Sequence, residues 1–101
     1  MTTDPFVRVE SDPDVEEHWR VLMQAQDIFV DRNALRGDLW RKFPPSDKIR
    51  ELRERVMRVE RLAAINWQVQ EGREAAIADE CLDIINYAVF LIRQTREGVA
   101  G

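Results

Sequence analysis

The feature that most constrains this chain is the stretch from about Arg73 to Arg96. Its apolar residues, Ile77, Ala78, Cys81, Ile84, Ile85, Ala88, Val89 and Ile92, spread over more than half of a helix circumference. A helix of that kind has to be packed on at least two sides, so the rest of the chain is expected to wrap it. Gly98 ends it.

Upstream, Val15, Trp19, Leu22, Gln26, Phe29, Val30 and Asn33 recur at three- and four-residue steps and predict a first helix to about Asp31, with Met23 and Ala25 on the same stripe. Ser11 or Asp12, then Pro13 and the acids Asp14, Glu16 and Glu17, supply its cap, its first-turn proline and its dipole-compensating charge. Gly37 and Pro44-Pro45 bracket an irregular stretch from Arg32 to Pro45 that contains Trp40 and Phe43. Ser46 is placed to cap a second helix whose seam is Ile49, Leu52, Val56, Val59 and Ala63. The connector from Ala64 to Gly72 alternates Ile65, Trp67 and Val69, which suits a short extended segment. The expected architecture is all-α: an N-terminal arm over 1–13 with Phe6 docked, a single helical domain over 14–97 and a short tail over 98–101.

Composition excludes several functional classes. One Cys and one His remove disulfide frameworks and multi-histidine metal motifs, and His18, beside Trp19 at the edge of the first helix's apolar face, reads as structural and not catalytic.

 The net charge of −4 argues against a duplex nucleic-acid surface. The longest apolar run, Tyr87 to Ile92, is far short of the roughly 20 residues of a membrane span, so a cytoplasmic protein with no membrane partner is expected. No Ser/His/Asp or Cys/His arrangement and no glycine-rich phosphate loop is present.

Two groups of residues could carry chemistry. Glu80, Asp83 and Tyr87 share one stripe of the last helix, with Asn86 and Phe90 beside it. A carboxylate pair at i and i+3 can hold Mg²⁺, while the plain alternative is a solvated acidic face. The company of Asn86, Tyr87 and Phe90 makes the stripe more apt to face another helix, another subunit or a ligand. A second pair, Glu51 and Glu54, points away from the Ile49–Val56–Val59 seam and is expected at the surface. The other group is cationic. Arg50, Arg53, Arg55, Arg58 and Arg61 flank the second helix, and Arg32, Arg36, Arg41 and Lys42 surround Trp40. Arginine grips phosphate through a planar fork of donors, and tryptophan offers a face to a base; otherwise these arginines are solvated partners of nearby Glu.

In chain order, Ile28-Phe29-Val30-Asp31-Arg32-Asn33, Gly37-Asp38-Leu39-Trp40-Arg41, Ser46-Asp47-Lys48-Ile49, Arg55-Val56-Met57-Arg58-Val59 and Asp83-Ile84-Ile85-Asn86-Tyr87-Ala88 form one pattern. It resembles the small helical family called nucleotide-modification-associated domain, first type, found largely in phages and bacteria. That family is thought to be related to MazG-type pyrophosphohydrolases, which place Glu-x-x-Glu and Glu-x-x-Asp pairs around Mg²⁺. The resemblance spans about residues 15 to 96 and implies Asn33, Gly37, Trp40, Arg41, Arg58, Asp83, Asn86 and Tyr87 as site residues. The chain departs from the family at Leu35-Arg36, where an Asp-Tyr pair would stand, and at Arg32, where Lys is usual. Losing an acid and gaining a cation suits retention of an anion over metal-assisted hydrolysis.

The leading expectation is therefore a protein that sequesters a nucleotide or nucleotide-derived signal without turnover and without a cofactor. Its ligand contacts would be Asn33, Arg36, Trp40, Arg41, Arg55, Arg58, Asp83, Asn86 and Tyr87. A Mg²⁺-dependent pyrophosphohydrolase with Glu80 and Asp83 on the metal is the first alternative, and a helical interaction protein without a small ligand is the second. The breadth of the last helix's apolar surface adds the expectation of a homo-oligomer, a dimer or higher.

Overall fold

The computed structural model describes residues 12–98, and the expected arm with its docked Phe6 lies outside them. Three helices follow in order: α1 (Pro13–Arg36), α2 (Pro45–Ala64) and α3 (Gln70–Arg96), with a 3₁₀ turn (Leu39–Lys42) between α1 and α2. The fold is all-α, and no strand occurs among the described residues. The connector between α2 and α3 is irregular, so its alternating apolar residues form no sheet; instead the Trp67 indole donates to the Leu62 carbonyl at 2.8 Å and covers the end of α2.

The helix starts follow local chemistry. Asp12 caps α1 by accepting from the Asp14 and Val15 amides, with Pro13 in the first turn. The helix runs five residues past its expected end at Asp31 and stops where Gly37 takes φ +59° and ψ −135°, a conformation that L side chains rarely adopt. Ser46 does not cap α2: the helix begins at Pro45 after an extended Pro44. At the other end of the chain, Gly98 terminates α3 with φ +76°, as its position predicts.

α3 is the middle of the molecule. α2 packs closely along it, α1 lies against it more sparsely, and α1 and α2 scarcely meet. This arrangement puts the acidic stripe of α3 under α2. It also corrects the seam of α2. Ile49 and Val56 are about half exposed, and the inward side is Lys48, Leu52, Arg55, Val59 and Leu62. Two cationic side chains therefore sit where apolar ones were expected, because the facing side of α3 is acidic and polar.

Burial is shallow. Ala25 and Leu82 are the buried apolar residues among those described, joined by the polar Lys48 and Gln94. Among the described residues fifteen large apolar side chains, spread over α1, α2, α3 and the connectors, remain exposed. No described helix is long and apolar enough to cross a membrane.

Candidate functional site

A pocket of about 320 Å³ opens where the end of α1, the 3₁₀ turn, the start of α2 and the middle of α3 converge. That is at the lower end of the range of roughly 300–1,000 Å³ found for small-molecule sites. Five aromatic residues line it: Phe29, Trp40, Phe43, Tyr87 and Phe90. Arg32, Arg36, Lys48 and Arg50 supply positive charge, and Asp47, Glu51 and Asp83 negative charge.

Of the residues expected to contact a ligand, the fold gathers Asn33, Arg36, Trp40, Asp83, Asn86 and Tyr87 on this lining. Arg41, Arg55 and Arg58 are not on it. Arg41 lies over the Trp40 ring and pairs with Glu97 at 3.2 Å, and Arg58 is a surface side chain 4.0 Å from Glu80. Arg55 is tucked between α2 and α3, 16% exposed, bonded to Asp83 at 2.9 Å and to Glu80 at 3.1 Å. Its guanidinium also faces the Tyr87 ring, 5.1 Å from the centroid. Burial would depress the Arg55 guanidinium, but Tyr87, Asp83 and Glu80 outweigh it and hold it above its ordinary value.

Trp40 is not an open platform. Phe90 stacks on it with centroids 4.8 Å apart and planes at 13°, while the guanidiniums of Arg41 and Arg93 lie 4.5 and 4.6 Å from its centroid. Its role is to build the pocket wall. Phe29, Phe43, Tyr87 and Phe90 line the pocket beside it.

The carboxylates are likewise engaged. Asp83 gives one oxygen to Arg32 at 2.8 Å and the other to Arg55, and Glu80 shares Arg55. Glu51, contrary to the surface position expected for it, lies on the pocket lining with Arg55 Nε 3.7 Å away; Glu54 is exposed. In this arrangement the donor set does not fit a divalent cation, because the oxygens that would ligate it are held by guanidinium. No group of three metal-ligating side chains suited to an ion occurs among the described residues.

The residue that sequence reasoning missed is Lys48. It is 3% exposed, and its ammonium donates to the Trp40 carbonyl at 2.5 Å and to the Phe43 carbonyl at 2.9 Å. It forms no ion pair among the described residues, and burial pushes its pKa below 10.5, with Asp47 acting in the opposite sense. Lysine in the first turn of a helix also opposes the helix dipole. That placement, a lysine one residue after Asp47 and in line with Leu52 and Arg55, was the available signal. Gln94, fully buried on α3, donates to the same Phe43 carbonyl at 3.0 Å, so the 3₁₀ turn is pinned from both helices. No protein-family model matches the chain, and neither the curated proteins nor the solved structures contain a match to it.

Proposed function

We propose that this protein binds a nucleotide-type small molecule, an aromatic ring system bearing phosphate, and retains it intact without a metal ion. The observation that carries this reading is the division of the pocket into an aromatic wall and two cations without carboxylate partners. Lys48 lines the pocket with its ammonium bonded to two backbone carbonyls and in no ion pair among the described residues, and the Arg36 side chain has no partner among them either. A buried ammonium lacking a counter-ion is costly, and an anion arriving beside it offsets that cost. Arg36 adds a planar donor fork at the same pocket. Arg32 and Arg55 are spent on Asp83 and Glu80, so they shape the site and leave phosphate to Lys48 and Arg36. The protein would act by holding its ligand, as phage sponge proteins do.

The Mg²⁺-dependent pyrophosphohydrolase remains the second reading for one reason. Glu51, Glu80 and Asp83 all pair with Arg55, so a cation that displaced this guanidinium, and Arg32 from Asp83, would meet carboxylates from both α2 and α3. Titration calorimetry with nucleoside mono-, di- and triphosphates, in chelator and in Mg²⁺, separates the two. Equal affinity in both buffers and recovery of intact ligand support the binder. Binding that requires Mg²⁺, or release of pyrophosphate, supports the enzyme.

A further inference from the structure

The carboxylates that line the pocket, Asp47, Glu51 and Asp83, are not equally occupied. Asp83 gives both oxygens to guanidinium, at 2.8 and 2.9 Å, and Asp47 accepts from Arg50 at 3.3 Å. Glu51 stands apart. Its ion pair is with Arg55, whose Nε lies 3.7 Å from Oε2, beyond the roughly 2.7–3.2 Å of a hydrogen bond. Arg55 Nε is itself buried with no hydrogen-bond partner. We infer that Glu51 is the sugar contact of the ligand proposed above: its carboxylate accepts hydrogen bonds from the vicinal hydroxyls of ribose, so that the pocket selects ribonucleotides over 2′-deoxyribonucleotides. The assignment rests on the nucleotide-binding reading.

The chemistry of the two neighbours carries this. An ionised carboxylate only accepts hydrogen bonds, so it repels phosphate and requires a donor on whatever lies against it. Glu51 follows Lys48 by three residues on α2, which puts both on one helix face with Cβ atoms about 5–6 Å apart. Both line the pocket. A phosphate beside the Lys48 ammonium therefore leaves Glu51 next to the group that carries the phosphate. In a nucleotide that group is the sugar, and the base stands farther off, within reach of the aromatic wall. Ribose presents two adjacent O–H donors to the two oxygens of one carboxylate, whereas 2′-deoxyribose presents one.

Exposure sets the size of the effect. A fully buried group built to bond a hydroxyl rejects the analogue lacking it by roughly 10⁴-fold or more, because the group is left unpaired. The Glu51 side chain is 36% exposed, so water takes part of the place of a missing hydroxyl. The expected preference for ribose is about tenfold, the level of one modest hydrogen bond.

The test is titration calorimetry on the full chain in chelator, with the four ribonucleoside 5′-triphosphates each run beside its 2′-deoxy counterpart. The ribonucleotide that binds most tightly should lose about tenfold in affinity when its 2′-hydroxyl is removed. Glu51→Ala should weaken that ribonucleotide by about the same factor and the deoxynucleotide by less than about twofold, so the preference disappears in the variant. Glu51→Gln, which keeps one acceptor oxygen, should fall between the two. Helical ellipticity and the urea midpoint should match the wild type in both variants, since the ion pair that they lose is a loose one. Equal affinity of the wild type for both sugars, or a ribose preference that survives in Glu51→Ala, overturns the assignment and leaves the nucleotide reading standing. Tighter binding of both sugars by Glu51→Ala overturns it too, because Glu51 would then only repel phosphate. If none of the nucleotides binds the wild type, the nucleotide reading falls and the sugar contact falls with it.

Discussion

Lys48 and Arg36 are cations of different kinds, and their environments predict different behaviour. Arg36 stands at the pocket without a partner among the described residues, so its removal should cost contact with the ligand and little else. Arg36→Ala is expected to weaken nucleotide binding at least tenfold, about 1.4 kcal/mol, with the unfolding midpoint unchanged. Arg58→Ala, outside the pocket, should bind as wild type, and calorimetry on the two variants checks the assignment. Lys48 is held by two carbonyls and titrates. Because burial lowers its folded-state pKa, the ammonium loses its proton in the folded protein at a pH where an unfolded lysine keeps it. The sign is then definite for ligand and fold alike. Affinity for phosphate should decline as pH rises through the lowered value toward 10.5, while folding stability, relieved of a buried charge, rises over the same window. Lys48→Arg should remove the decline in affinity, which calorimetry across that alkaline range would show. A flat profile in the wild type would place the phosphate away from Lys48.

The joints between helices make stability predictions of their own. Gly37 closes α1 with φ +59° and no atom near the position of a Cβ, so the obstacle to substitution is backbone strain and not space. Gly37→Ala should cost about 1–2 kcal/mol in urea unfolding and loosen the 3₁₀ turn that carries Trp40. Asp83 of α3 pairs with both Arg32 of α1 and Arg55 of α2. Asp83→Ala leaves Arg55 with Glu80 and Glu51 and removes the carboxylate that also held Arg32, and a loss of roughly 2 kcal/mol is expected, below the 3–5 kcal/mol of a fully buried pair because Arg55 keeps partners and some solvent. Any loss of ligand binding in that variant would then reflect disorder of Arg32 and Arg55 as much as a missing contact. These joints also mark what was legible in the sequence. Helix number, the breadth of α3 and the Asp12 and Gly98 boundaries follow from period and capping, which are local. Periodicity also found the Glu80–Asp83–Tyr87 stripe and its unsuitability for water alone. The inward turn of Lys48 and Arg55 was hidden, because apolar periodicity assigns α2's seam to Ile49 and Val56 and cannot register that the facing helix is acidic. The stacking of Phe90, Arg41 and Arg93 on Trp40 was hidden as well, since it depends on where a short turn lands against a helix fifty residues later.

The described helices bury little apolar surface: Ala25 and Leu82 are their buried apolar residues. Folding has to overcome a backbone entropy cost of about 1–2 kcal/mol per ordered residue, and burial of apolar surface is the main term that can do so. Among the described residues fifteen large apolar side chains stay exposed, so the helices' own packing supplies little of it. If the missing burial lies between copies, folding and association are one equilibrium, and mass action makes apparent stability depend on protein concentration. The melting temperature, followed by circular dichroism at 222 nm (the helical band), should therefore rise measurably with each tenfold increase in concentration. A monomer would melt at one temperature throughout.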